Sequence, residues 1–198
     1  MALSIKQLVS ISIVLNICVA WKPITLYSDF GSSIDQEFFI KVYPWIVNNM
    51  GHEIRVSYNF IGSGLDSSRL MCALRNIKNI LYESQFLMCA ANLYFLRREY
   101  DVFYHCIPDG IDVPLKPYST CVQKQGPSLV RHSIKTFDRI QNSKNTPLID
   151  LGHRQYTSYK TFDNAAMILE TICKLFGRNR PIRCDNPSVL PTGYSSSE

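Results

Sequence analysis

The chain is 198 residues long, 46% hydrophobic and 19% charged. That is enough for about one domain with its own core, and too apolar for disorder along most of its length. The 21 basic and 16 acidic side chains leave a formal charge of +5, short of the basic footprint of a nucleic-acid-binding domain. Nine glycines and ten prolines exclude collagen-like or low-complexity character.

Residues 1–20 read MALSIKQLVSISIVLNICVA, with Lys6 the only charge, a mostly apolar run from Leu8 to Val19, and the small residue Ala20 at the end. This is the pattern of a secretory signal peptide. The apolar run is shorter than the ~20 residues needed to span a bilayer, and no later stretch is long and apolar enough, so no membrane span is expected. Cleavage after Ala20 removes Cys18 and leaves six cysteines: Cys72, Cys89, Cys106, Cys121, Cys173 and Cys184. An even count in an oxidising compartment suggests structural disulfides. Six cysteines allow 15 connectivities; the expectation adopted is pairing of nearest neighbours.

In the mature chain, Ile24 to Ser28 is short and β-prone, a buried strand. Asp29 to Ser33 then turns, and Ser32 or Ser33 is placed to N-cap a helix. The helix that follows carries an apolar stripe of Ile34, Phe38, Val42, Trp45, Ile46 and Met50, with Pro44 expected to kink or interrupt it and Gly51 to end it. Glu53 to Ile61 alternates, with Ile54, Val56, Tyr58 and Phe60 on one face, as in a half-buried strand. Gly62-Ser63-Gly64 is a loop. Ser67 to about Tyr104 has helical character, and Ile107 to Tyr118 holds Pro108, Gly110, Pro114 and Pro117 and reads as a loop. Ser128 to Ile140 is helical, Leu148 to Leu151 is a short strand, and Gln155 to Tyr159 can pair back on it. Phe162 to Phe176 is a final helix ended by Gly177. The order β-α-β, helical insertion, α, β-β-α makes an α/β domain in the order of a thioredoxin fold, with a helical, cysteine-containing insertion.

Three stretches carry a closer resemblance. LYSDFGSSIDQEFFIKVYPWI, the segment from Cys72 to Cys89, and TPLIDLGHRQYTSYKTFDNAAMILETICKLFGRNRPIRC together resemble the gamma-interferon-inducible lysosomal thiol reductase (GILT) family, over roughly residues 24–184. The resemblance implies a protein-disulfide reductase with a Cys-x-x-Cys at the start of the first helix. It also implies that Pro147 is a cis-proline facing that motif, with Thr146 and Pro147 lining a groove. Residues 1–20 are then a signal peptide, 21–184 the GILT-like thioredoxin-fold domain, and 185–198 a disordered tail.

The chain departs from that family at the motif itself, where it reads Gly31-Ser32-Ser33-Ile34. Thiol–disulfide exchange needs a thiolate and a second thiol to resolve the mixed disulfide. Glycine has no side chain, isoleucine offers only hydrocarbon, and serine hydroxyls stay protonated at physiological pH. The expectation is therefore a redox-inactive pseudoenzyme with no catalytic residues. It would act by binding a protein or peptide partner, with no cofactor, no metal and no nucleic acid. The alternative is an active thiol oxidoreductase using another cysteine pair, where Cys106 beside His105 is the thiol a neighbouring imidazolium could activate. No usable N-x-[ST] sequon is present, since Pro187 blocks Asn186 and Pro147 takes the third place after Asn145. Secretion is accordingly expected over glycan-dependent delivery to the lysosome.

Overall fold

The structure, a computed structural model, describes residues 21–62, 65–95, 102–140 and 145–190. The segment read as a signal peptide lies outside them. Strand β1 (Lys22–Ser28) pairs in parallel with β2 (Ile54–Phe60), and antiparallel with β3 (Leu148–Asp150), which pairs antiparallel with β4 (Tyr156–Ser158). The sheet order is β2-β1-β3-β4. Its strands fall within the segments Glu53 to Ile61, Leu148 to Leu151 and Gln155 to Tyr159, and over Ile24 to Ser28, which read as strands in the sequence.

Helix α1 spans 33–50 in three continuous pieces: Ser33–Glu37, a π-helical turn Phe38–Val42, and Tyr43–Met50. The interruption expected at Pro44 takes the form of that π-helical turn, and the chain stays helical through it. Proline lacks an N–H and crowds the carbonyl four residues back, and the helix absorbs this by widening for one turn ahead of it. The same solution recurs at Pro127. Helix α5 spans 115–138 as Leu115–Thr120, a π-helical turn Cys121–Gln125, and Gly126–Asp138. Its opening turn corrects the reading of Ile107 to Tyr118 as loop throughout. Pro114 is the N-cap, and Pro117 falls within the first turn, where backbone N–H groups have no helical partner to lose.

Between β2 and α5 run α2 (Leu65–Leu74), α3 (Ile80–Phe95) and α4 (Val102–His105), so the single helical stretch read from sequence is three helices. After β4, a 3₁₀ turn (Phe162–Asn164) leads into α6 (Ala165–Lys174), and α7 (Ile182–Asp185) follows. Gly177 closes this region at φ +54°, as its position after the helix predicts.

The sheet separates two layers. Leu26 and Ile149 belong to a core with Phe38, Phe39, Ile46, Ile168 and Ile172, all buried, which places α1 and α6 on one face. Tyr27 and Leu148 instead pack with Phe137 of α5 on the other. Helix α3 lies along α1, and α2 lies against α5 and β2. Among the described residues no helix is long and apolar enough to cross a membrane.

The disulfides are Cys72–Cys121, Cys89–Cys106 and Cys173–Cys184. Of the pairs that joining each cysteine to its neighbour in turn would give, only Cys173–Cys184 forms. The other two disulfides are nested, because α2 and α5 pack side by side and bring Cys72 and Cys121 to a Cα separation of 5.8 Å. Cys89 on α3 is left facing the chain that returns after α4. Three disulfides in one domain fit an oxidising compartment.

The tail was expected to be disordered from residue 185. Up to residue 190 it instead packs on α1: the Ser188 carbonyl accepts from the Trp45 indole at 2.7 Å, and the Ser188 N–H donates to Asn49 at 2.8 Å. An indole N–H and an amide on a buried helix face need partners, and the tail supplies them. Residues 191–198 lie outside the described residues.

Candidate functional site

The turn after β1 is closed by the Ser32 N–H donating to the Asp29 carbonyl at 2.8 Å and by the Gly31 N–H donating to Asp29 Oδ1 at 3.0 Å. Gly31, Ser33 and Ile34 are exposed at this end of the domain. Ile34, read as the first residue of the buried stripe, is 42% exposed. Ser32 holds the N-cap position, yet neither it nor Ser33 makes the expected side-chain cap.

The stripe is completed by a residue the apolar pattern passed over. Asp35 is fully buried. Its Oδ1 accepts from the Ser28 hydroxyl at 2.6 Å and from the Asp29 N–H at 2.8 Å, and its Oδ2 accepts from the Thr146 hydroxyl at 2.9 Å. One carboxyl thus ties the end of β1, the first turn of α1 and the segment that leads into β3. Burial raises its pKa from the usual carboxylate range to about 6, and the hydroxyls of Ser28 and Thr146, the Asp29 N–H and the Ser32 hydroxyl oppose that rise. The sequence signal was present. Position 35 precedes Phe38, Phe39, Val42 and Ile46 at helical spacing, so an acid there must be buried and hydrogen-bonded.

Thr146 meets Asp35 through its hydroxyl, and the Thr146–Pro147 bond is cis. The strand beyond them is a different matter. It offers no free edge to a peptide in the groove that the resemblance implies, because β3 lies between β1 and β4, and the Pro147 carbonyl already accepts from the Tyr159 N–H at 3.1 Å. On this side of the site a peptide would meet main-chain groups at Thr146, ahead of the strand.

Beneath the turn, buried Phe30 contacts Phe39, Phe60 and Tyr94 with ring centroids 5.3, 5.7 and 6.0 Å apart. Tyr94 sits on α3, so the helical insertion forms one wall beside the turn. All six described cysteines are bridged, and none lies in residues 21–71. The end of α1 therefore offers backbone N–H groups, two serine hydroxyls and the isoleucine side chain. These can bind but cannot exchange disulfides.

The chain is similar in structure to the DsbA of Chlamydia trachomatis, at a TM-score of 0.54 and 14% sequence identity, over 78% of this chain and 88% of that one. This shows the fold: a thioredoxin-like domain with a helical insertion. No protein-family model and no curated protein matches the chain.

Proposed function

We propose that this chain is a secreted, GILT-like thioredoxin-fold protein that has kept the scaffold of a thiol reductase and acts by binding a protein segment without reducing it. One observation carries the reading. The Thr146 hydroxyl is bonded to Asp35, which fixes residues 146–147 against a helix start that reads Gly-Ser-Ser-Ile and holds no sulfur. Three disulfides support passage through an oxidising compartment, and Trp21 is the expected first residue of the secreted protein.

The test is disulfide-reductase turnover of the purified protein beside its Gly31→Cys/Ile34→Cys variant, at acid and neutral pH. The variant is sterically reasonable. A Cβ on Gly31 meets only Asp29 Oδ1, at 3.3 Å, and Ile34 is exposed. Turnover by the variant alone supports the proposal; turnover by the natural protein overturns it; turnover by neither removes the correspondence between residues 31–34 and the reductase motif.

A second reading, an oxidoreductase using another cysteine pair, is favoured by one feature. The Cys89–Cys106 bridge lines a surface cleft of about 410 Å³ together with His105 and Tyr82. If the natural protein turns over and the Cys89→Ser/Cys106→Ser variant does not, this reading replaces the first.

A further inference from the structure

Among the described residues the sheet has one long open edge, and its Ile54 end lies at the opposite end of the paired strands from the turn that leads to residues 31–34. The β4 edge is three residues long, whereas β2 runs for seven and pairs only with β1. The pairing fixes which way its main chain faces. The Lys22 N–H donates to the Glu53 carbonyl and the Ile61 N–H donates to the Ser28 carbonyl, each at 2.9 Å. Odd-numbered residues of β2 therefore turn their backbone groups toward β1. Ile54 and Val56 turn theirs outward, as on any edge strand.

This edge is not bare surface. The connection from α2 to α3 crosses from one face of the sheet to the other just beyond β2 and leaves a cleft of about 650 Å³. One wall is the strand run Ile54 to Ser57, the other the segment Leu74 to Leu81, and Trp21, 58% exposed, stands at one end. The floor is apolar, with Ile54 and Ile77 buried, and the rim is cationic, with Arg55, Arg75 and Lys78 exposed. Among the described residues the one acid that lines it, Glu83, accepts from the Tyr58 hydroxyl at 2.9 Å and is turned inward. The four strand residues span about 13 Å at ~3.3 Å per residue, the length of about four residues of an added strand.

We propose that this cleft binds an extended acidic peptide segment of a partner protein, added as a strand to the outer edge of β2, with its carboxylates on Arg55, Arg75 and Lys78. Main-chain hydrogen bonds from Ile54 and Val56 would hold the peptide, and the cationic rim would select it. The inference is independent of the reading of residues 31–34.

The experiment is fluorescence anisotropy of the secreted protein with a labelled octapeptide carrying glutamate at alternate positions between threonine and valine. Three controls accompany it: the same peptide with lysine for glutamate, the glutamate peptide N-methylated at alternate amides, and the protein variants Arg55→Glu and Lys78→Glu. The expected result is saturable binding of the glutamate peptide, at least tenfold weaker for the lysine peptide, the methylated peptide and either variant. Both substitutions are on exposed side chains, and the two peptide controls decide the matter even if a variant fails to fold. Absence of saturable binding overturns the proposal, as does equal binding of the two charges or indifference to N-methylation. A dimer in sedimentation velocity that Arg55→Glu dissolves, without peptide binding, overturns it in favour of a second copy of the chain.

Discussion

Residues 31–35 and the helical region from α2 to α5 are held by different means. The first is a turn and a helix start fixed by hydrogen bonds that converge on one buried carboxyl. The second is a set of helices fixed by two nested disulfides and by apolar contact. In one region polar groups set the geometry of a turn, with Thr146 reaching it from 111 residues along the chain, at a place open to a ligand. In the other, sulfur sets geometry in the interior, where Cys72 and Cys121 are buried and out of reach of an attacking thiol. The comparison teaches that the number of cysteines in this chain says much about its compartment and little about its chemistry. What a cysteine can do depends on where the packing puts it.

The comparison can be broken most forcefully at the outer bridge. Replacing Cys72 and Cys121 by serine should cost about 4 kcal/mol, since the bridge closes a long loop (sequence separation 49) in the unfolded chain. Urea unfolding would read it, and a loss under about 1 kcal/mol would mean that packing alone holds α2 on α5.

A smaller effect is expected where those helices touch. A Cβ on Gly126 would lie 2.5 Å from Cβ of Ser68, so Gly126→Ala should destabilise by about 1–3 kcal/mol through overpacking. Thermal melting that matches the natural protein would show that the helices can slide apart freely.

The polar region should respond to pH instead. Asp35 is harder to ionise in the folded protein than in the unfolded chain, so the folded state binds more protons between about pH 4 and pH 6. Stability from this group is therefore greatest at low pH and falls as pH rises through about 6. Between pH 5 and pH 7.5 the fall should be about 1.4 kcal/mol. Asp35→Asn should remove that part of the pH dependence. The Glu83 carboxyl, also raised by burial, acts in the same direction in both proteins and cancels in the difference. A pH dependence unchanged in the variant would show that Asp35 is not the group responsible. The smallest effect is expected at Ile34→Ser, within about 0.5 kcal/mol because the side chain is already exposed, and a larger loss by urea unfolding would place Ile34 in the core after all.

Much of this architecture is legible in the residues because it rests on local periodicity. The alternation of Ile54, Val56, Tyr58 and Phe60 gives β2, and the stripe from Phe38 to Met50 gives α1. Where the reading failed, the deciding force was not local. The pairing of Cys72 with Cys121 depends on which helices lie side by side, and spacing along the chain does not carry that information. Docking of Ser188 depends on what Trp45 and Asn49 lack, a need visible only once α1 is buried. The prolines misled in a consistent way. Pro114 and Pro117 read as loop and Pro44 as a kink or interruption, whereas Pro114 and Pro117 occupy a helix start and Pro44 is accommodated by a widened turn, as Pro127 is. At the site, the missing sulfurs were plain from the letters alone. Asp35 was not, because a search for apolar periodicity skips the one acid that shares the stripe.

The nested bridges also bear on how the protein would survive a protease. A single cut by a protease between Cys72 and Cys121 falls inside the loop that the outer bridge closes, and between Cys89 and Cys106 it falls inside both loops. The two pieces stay covalently joined in either case. Damage in this region would show as a nicked chain heavier by a single water that separates only after reduction, so the molecule can be wounded in its insertion and still travel as one body.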